Sequence, residues 1–471
     1  MSIDNNELDS FFEFPDFSIK SISGDCGKAL SFQREWNHYM DVELFSKTTL
    51  ISSKASPMKY SFAKKRYLGL TKIRREQTVS FPFFFLALAE SHFLLSDMHG
   101  CLDALNELAV IVENNNDLRR LIGIVSNLLE REAKRDDEYH NQSQASNLYT
   151  FSTPFECPVI HTDSTLLETL QIAWEEMKVR EEGALLQFQR YACISSNILE
   201  DVFSLEGESW PRLIRRGFYV NSIDGISLLS KQKKKKVIIQ ILKNTLQSLE
   251  LLSACLDDYS MFTEDFIKRI HSTILQNDNF VEEQCEDNEG DMYSMFMLIP
   301  SGRYRQVACV ATHKDDSEVT QFCRHSEISA EMGRYCALAR GVLNNAEIDV
   351  FVKVAWMQWA FLRIHPFADG NGRVARIISS LPLCKLHLPP VAVSQRNKGA
   401  YFESLHIADR ENNVLPLAFF LRESILGAMT EITELPRALE LRTTCGEGKT
   451  RTRRGDELSI EGRHIREVGD R

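Results

Sequence analysis

The run His365-Pro366-Phe367-Ala368-Asp369-Gly370-Asn371-Gly372-Arg373-Val374-Ala375-Arg376 brings together a proton acceptor, a carboxylate, a glycine-rich turn and two guanidinium groups. An imidazole such as His365 exchanges a proton near neutral pH. Asp369 offers hard oxygen donors of the kind that hold Mg²⁺ against phosphate oxygens. Gly370, Asn371 and Gly372 precede renewed helical spacing, and bare N–H groups at a helix start attract anions. Arg373 and Arg376 lie three apart, so on a helix they share a face beside that anion. Each feature alone is most often structural: a histidine at a helix end, a turn, a solvated pair of arginines. Their conjunction describes a phosphoryl-centred site.

The elements that must position this segment are helical. Upstream, Val350, Phe351, Val354, Ala355, Trp356, Trp359, Phe361, Leu362 and Ile364 leave almost no polar face, which marks a helix buried at the centre of its domain. Asn344 and Glu347 have the spacing of a capping box for its start. Pro366 stops it, since proline disfavours the helical conformation in the residue before it. Downstream, Val374, Ile377, Ile378 and Leu381 resume helical spacing. The same period runs through Leu167, Leu170, Trp174 and Met177, and again from Val237 to Leu252. Thr263 precedes Phe266, Ile267, Ile270 and Ile274 as a natural N-cap. Strand-like alternation is confined to the neighbourhood of Tyr304 to Thr312. The expected fold is mainly α.

The twelve-residue run resembles the Fic family motif His-Pro-Phe-x-Asp/Glu-Gly-Asn-Gly-Arg-x-x-Arg at every defined position. Phe262 to His271 is similar to the family helix that ends in Ile-His. Ser301 to Val307 is similar to the lead-in to its β-hairpin flap, and Tyr401 to Asp409 to the helix after the motif. The resemblance covers roughly residues 190–430. It implies a Fic-type helical bundle with a short β-hairpin flap, here preceded by a helical N-terminal domain. It further implies transfer of AMP from ATP to a Ser, Thr or Tyr hydroxyl of a target protein. In that scheme His365 is the general base and Asp369 the Mg²⁺ ligand. Gly370, Asn371, Gly372, Arg373 and Arg376 bind phosphates, Phe367 anchors the loop in the core, and Tyr401 or Phe402 stacks on adenine. Gly370 favours the adenylyl-transferring branch over relatives with alanine there. Asp409 stands where the family more often has asparagine, and the proline usual in the flap is replaced by Asp315-Asp316-Ser317-Glu318.

Many family members carry an inhibitory helix with Ser/Thr-x-x-x-Glu-Gly/Asn. Ser196 and Glu200 fit it at the end of an amphipathic stretch from Ala184 to Asp201, with Asp201 replacing the small or amide residue. The resemblance implies that Glu200 pairs with Arg376 and displaces the γ-phosphate. A guanidinium fork binds carboxylate and phosphate alike. An exposed helix glutamate is the plainer alternative, and Glu206-Gly207 is a rival for the role. The same glutamate can serve removal of AMP, so a de-AMPylating enzyme, another phospho-group transferase and a non-catalytic nucleotide-binding regulator stand as alternatives. Relatives that dimerise put a homodimer among the expected partners, beside ATP and the protein target.

Composition sets the frame. The chain has 471 residues, 43% hydrophobic and 26% charged, an ordinary globular balance that asks for more than one domain. We expect a helical region at 1–155 behind an acidic leader and closing in the polar stretch Asp136 to Asn147. The Fic-like domain follows at 156–435, with a charged, disordered tail at 436–471. A net charge of −11 argues against general nucleic-acid binding. Phe81 to Ala89 is too short to span a membrane and reads as a buried helix. Eleven cysteines without paired spacing, and no basic and apolar leader at Met1 to Ser18, suggest reduced thiols in a cytoplasmic setting. Lys231 and Lys233 to Lys236 read as a solvated helix start, and the acidic stretch Glu282 to Asp291 as a solvated loop. His161, His271, His313, His325, His387 and His406 show no metal-ligand spacing.

Overall fold

The computed structural model describes residues 58–76, 82–142, 148–149, 151–154, 156–159, 164–226, 234–276, 279–286, 292–312 and 319–436. The acidic leader, Lys231 and Lys233 of the basic run, Asp315 to Glu318, and the tail from residue 437 lie outside the described residues.

Among the described residues four helices come first: α1 (Met58–Glu76), α2 (Pro82–Leu94), α3 (Met98–Ile111) and α4 (Asn116–Gln142). Phe84 to Ala89 of α2 are buried against Leu70, Leu105, Leu108 and Leu121, so the most apolar run of the chain becomes a domain core. Asp97 caps α3 by accepting the Gly100 N–H at 2.9 Å, and its other oxygen meets His92 Nδ1 at 2.8 Å. Helix α4 runs through to Gln142, so the first part of the expected polar closure is helical.

The second region holds α5 (Ser164–Arg180), α6 (Ala184–Leu199), α7 (Ser209–Arg216), α8 (Lys235–Glu250), α9 (Ser253–Leu256), α10 (Glu264–Ile274), α11 (Ile328–Asn344), α12 (Val350–Ile364), α13 (Asn371–Ile378), α14 (Leu381–Lys385), α15 (Lys398–Glu411) and α16 (Leu415–Glu434). Helix α12 is buried on nearly every side, as its composition requires, and α11, α13, α14 and α16 surround it. Thr263 caps α10, its hydroxyl accepting the Phe266 N–H at 3.2 Å. The start of α12 differs from expectation. Asn344 is the last residue of α11, and Asp349 caps α12, accepting the N–H groups of Phe351 and Val352 at 2.8 and 3.2 Å. The Asn344–Glu347 box fails because the preceding helix consumes its first member. At the start of α8, Lys235 is tied to the carbonyls of Ile223 and Asp224 rather than simply solvated.

Strands among the described residues are few and short. β2 (Leu205–Glu206) pairs antiparallel with β3 (Gly225–Ile226). β4 (Phe280–Glu286) pairs antiparallel with β5 (Met292–Leu298), from Phe280 opposite Leu298 to Glu286 opposite Met292. The acidic stretch expected as a loop is therefore a strand through Glu286. This hairpin leans on the first region, where Ala63, Leu95 and Leu298 share a small core and the Leu298 N–H donates to Leu95 O at 2.9 Å. Lys64 covers the Phe296 ring at 4.0 Å, and Arg303 pairs with Asp103. The third sheet has order β1-β7-β6, made of β1 (Leu148–Tyr149), β6 (Val310–Thr312) and β7 (Val319–Gln321). β6 and β7 form the expected flap hairpin, but residues 304–309 ahead of it are not strand.

Candidate active site

The His365–Arg376 segment joins the end of α12 to the start of α13. His365 ends α12 in the left-handed region, φ 52 and ψ 59, with its N–H donating to Phe361 O at 3.0 Å. The proline does stop the helix, but through a left-handed cap rather than an extended residue. Phe367 is fully buried, and the Asn371 side chain closes the turn behind it. Its Oδ1 accepts the Phe367 N–H at 2.9 Å and its Nδ2 donates to Phe367 O at 2.7 Å. Asn371 thus holds the loop's shape with its side chain. Gly370 caps α13 at φ 81, where a side chain is strained even though a Cβ would find only ordinary contact with the His271 ring at 3.4 Å.

Two buried side chains outside the motif staple the loop. His271, at the end of α10, stacks on Phe367 with ring centroids 3.7 Å apart. Its Nδ1 accepts the Gly302 N–H at 2.9 Å, which leaves Nε2 to carry the proton donated to Asp369 O at 3.0 Å. Burial pushes its pKa down to about 4, so the ring works as a neutral bridge. Arg305 holds the start of the loop, donating to the carbonyls of His365 at 2.7 Å, Val307 at 2.7 Å and Cys323, while its own N–H reaches Pro366 O at 2.9 Å. Neither residue was assigned a role from spacing. A histidine on the apolar face formed by Phe266, Ile267, Ile270 and Ile274 was the available signal, because a buried ring must find polar partners.

His365 is partly buried, its ring 4.0 Å from that of Phe322 in a stacked arrangement. Burial, reinforced by the Arg305 guanidinium, lowers its pKa to about 4 although the Leu362 carbonyl favours the protonated form. At neutral pH it is an unprotonated base. Asp369 points its carboxylate outward, half exposed, with Oδ1 accepting the Gly370 N–H at 2.6 Å and Oδ2 3.2 Å from Arg373. Arg373 itself is buried at 2% exposure.

Arg376 is also buried, and here the sequence reading of Ser196 and Glu200 meets the geometry. Arg376 donates through Nε to Ser196 Oγ at 2.9 Å, and through one terminal nitrogen to Ser196 O at 3.1 Å and Glu200 Oε1 at 2.6 Å. Burial pulls the arginine's pKa down, but Glu200 and Tyr401 more than compensate and the net shift is upward. The Glu200 carboxylate lies over Gly372, so close that a Cβ there would overlap it. Gly372 has no positive φ; its lack of a side chain makes room for Glu200. Asp201 adopts φ 53, which explains a family preference for glycine or asparagine at that place, and aspartate tolerates it better than most residues. Glu206, the rival, is exposed on β2.

One expectation around the base pocket needs correction. Tyr401 is 1% exposed, receives a hydrogen bond from Gln358 at 2.5 Å and lies under the Arg376 guanidinium, 6.0 Å from ring centroid to carbon. It braces Arg376 and has no ring face open to a base, whereas Phe402 beside it is 42% exposed. Asp409 is turned to the core, accepting Trp359 Nε1–H at 2.8 Å and lying 3.7 Å from Arg363.

Among the described residues no three metal-ligating side chains converge. Asp369, one outward carboxylate beside an anion seat, fits a Mg²⁺ that takes its remaining ligands from phosphate and water. No helix among the described residues is long and apolar enough to cross a membrane.

The Fic/DOC family model matches residues 261–383. Over 61 residues the chain is 46% identical to a Fido domain-containing protein of Dictyostelium discoideum, covering 13% of this chain and 42% of that protein. It is 36% identical over 62 residues to protein adenylyltransferase fic-1 of Caenorhabditis elegans, 13% of this chain and 12% of the other. It is 32% identical over 84 residues to protein adenylyltransferase Fic of Aedes aegypti, 17% of each. These matches span less than half the length of the curated relatives. Among solved structures, a Fic domain containing signaling protein from Bacteroides thetaiotaomicron aligns at 20% identity and TM-score 0.44, covering 57% of this chain and 96% of that one. The stretch that matches the Fic/DOC family model, residues 261–383, holds the His365–Arg376 loop, both of its staples and the flap.

Proposed function

We propose that this chain is a protein adenylyltransferase, moving AMP from ATP to a Ser, Thr or Tyr hydroxyl of a target protein, and that Glu200 holds it at rest. One observation carries the reading. A carboxylate of the protein sits in the anion seat at the head of α13, gripped by Arg376 and fitted against Gly372, where a nucleotide phosphate is the natural occupant. The names of the curated relatives point the same way.

The chemistry follows from the side chains in place. The acceptor hydroxyl attacks the α-phosphorus of ATP, His365 takes its proton, and the bond to pyrophosphate breaks. A histidine held unprotonated by burial is ready for that step at neutral pH. The N–H groups around Gly370 to Gly372 and the buried Arg373 face the charge that builds on the phosphates. Mg²⁺ held by Asp369 would neutralise phosphate charge. His271 and Arg305 keep the loop from collapsing when the anion is absent.

Purified protein with Mg²⁺ and α-labelled ATP tests the proposal, alongside Glu200→Gly, His365→Ala and the double variant. Covalent label on Glu200→Gly that disappears in the double variant supports transfer and restraint together. Equal labelling with and without Glu200 removes the restraint and leaves the transfer. Nucleotide binding with no label in any variant overturns adenylyl transfer in favour of a binding role.

A further inference from the structure

Arg305 is 2% exposed, and its guanidinium serves carbonyls from three separate stretches of chain. At the end of α12 its Nε donates to His365 O at 2.7 Å and one terminal nitrogen to Ile364 O at 3.4 Å. The same terminal nitrogen donates to Cys323 O, just past β7, and the other to Val307 O at 2.7 Å, on the way into β6. Cys323 follows Phe322, whose ring stacks on His365 with centroids 4.0 Å apart and planes 18° apart. One buried side chain therefore grips the backbone on both sides of a ring stack. The Phe322 N–H donates to Cys309 O at 3.2 Å, so the upper member of the stack is itself part of the β6–β7 pairing. A plain helix-end cap accounts for the bonds to Ile364 and His365, since a cation at a helix C-terminus binds its last carbonyls. It does not account for the reach to Cys323 and Val307, which belong to other elements. His365 sits at φ 52, a conformation that a residue with a side chain keeps only where its surroundings hold it.

We propose that Arg305 is a positioning residue for His365: it fixes the spacing between the His365 backbone and the Phe322–Cys323 step, and so sets the direction in which the imidazole meets an acceptor hydroxyl. The acceptor step rests on the adenylyl-transfer reading; the placement of the ring does not. Arginine suits the task because its planar fork sends five N–H groups in fixed directions. A lysine ammonium is a point charge that cannot span three segments at once. Proton transfer in a positioned pair is lost quickly with misalignment, so a ring turned away from the hydroxyl slows the chemical step. The phosphate seat is built of other residues, Gly370 to Gly372, Arg373 and Arg376, and Arg305 touches none of their side chains in the bonds above. Its loss should therefore lower turnover and leave nucleotide affinity alone.

NMR of the full chain with labelled histidine, without nucleotide, reads the stack directly. The Phe322 ring shields the His365 ring protons, whose signals are identified by their absence from His365→Gln and should lie upfield of an ordinary histidine. Arg305→Lys and Arg305→Met should return them toward the ordinary position, as Phe322→Leu should. In the Glu200→Gly background, both arginine variants should take label from saturating α-labelled ATP about tenfold or more slowly than Glu200→Gly alone, with ATP affinity within about twofold. Ring signals that stay upfield in both arginine variants overturn the proposal, and so does labelling at the full rate. A fall in ATP affinity that matches the fall in rate also overturns it, because a general loosening of the fold moves both. Should the arginine variants not melt cooperatively, Phe322→Leu decides, since it keeps the guanidinium and removes the ring. Slower label at unchanged ATP affinity then supports the spacing, and the full rate refutes it. If Glu200→Gly itself takes no label, the transfer reading fails, and the ring signals alone decide whether Arg305 places His365.

Discussion

Glu200→Gly strips the partner from a guanidinium only 3% exposed and 2.6 Å away. Breaking a buried ion pair from one side costs about 3–5 kcal/mol. Glu200 is itself 28% exposed, so water screens part of the attraction, and about 2–3 kcal/mol is the better figure here. In the unsubstituted chain the same energy opposes ATP, whose phosphate must displace the carboxylate. At about 1.4 kcal/mol per tenfold, the nucleotide-ready fraction falls to roughly one in 30 to one in 150. The variant should therefore bind ATP–Mg²⁺ roughly 30–150 times more tightly by titration calorimetry. Its nucleotide-free form should melt at lower temperature, because Arg376 has lost its carboxylate, and ATP should recover more stability in it than in the unsubstituted chain. Unchanged ATP affinity, with the variant folded, would refute the idea that Glu200 competes for the phosphate seat.

Gly372→Ala suits the helix backbone but drives a Cβ into the Glu200 carboxylate; it should cost about 1–3 kcal/mol in the unsubstituted chain and little once Glu200 is glycine. A thermal double-mutant cycle reads that coupling, and equal losses in both backgrounds contradict the placement of Glu200. Acid should loosen the fold through His271, held at a pKa of about 4 by burial against about 6.5 when unfolded. Between those values the unfolded chain binds more protons, so stability is intact above pH 6.5 and falls as pH drops, by up to about 1.4 kcal/mol per pH unit. Urea melts at pH 7 and pH 5 check the slope, which should become shallower in His271→Gln without vanishing, because His365 is held low by burial in the same way. Asp201→Gly relieves a left-handed residue and should add about 1 kcal/mol, the exposed pair with Lys398 counting for little. A lower urea midpoint for that variant would show that the Lys398 contact matters more than the strain.

Much of the site was legible because its information is local. A buried helix, a stop at Pro366, a turn that needs Gly370 and a second helix follow from consecutive residues and their spacing, and so does the Thr263 cap. The serine and glutamate of the restraint were legible as a pattern, but whether Glu200 reached Arg376 was not. The two stand 176 residues apart, and only the packing of α6 across α13 joins them. Tertiary structure also turned Tyr401 from a surface ring into a buried brace, because α15 packs on α16 and closes over it. The β4–β5 hairpin was not legible, since β5, the apolar partner of its charged strand, packs on α1, a helix distant in sequence. His271 and Arg305 gave a residue type but no role, for their meaning lies in which carbonyls and N–H groups the fold brings within reach. Sequence therefore determined the chemical groups and the loop that carries them, through short-range conformational preference. Which of those groups are buried, what restrains Arg376 and what lies along β7 were decided by long-range packing, where burial and pairing take their energy from residues no local pattern contains.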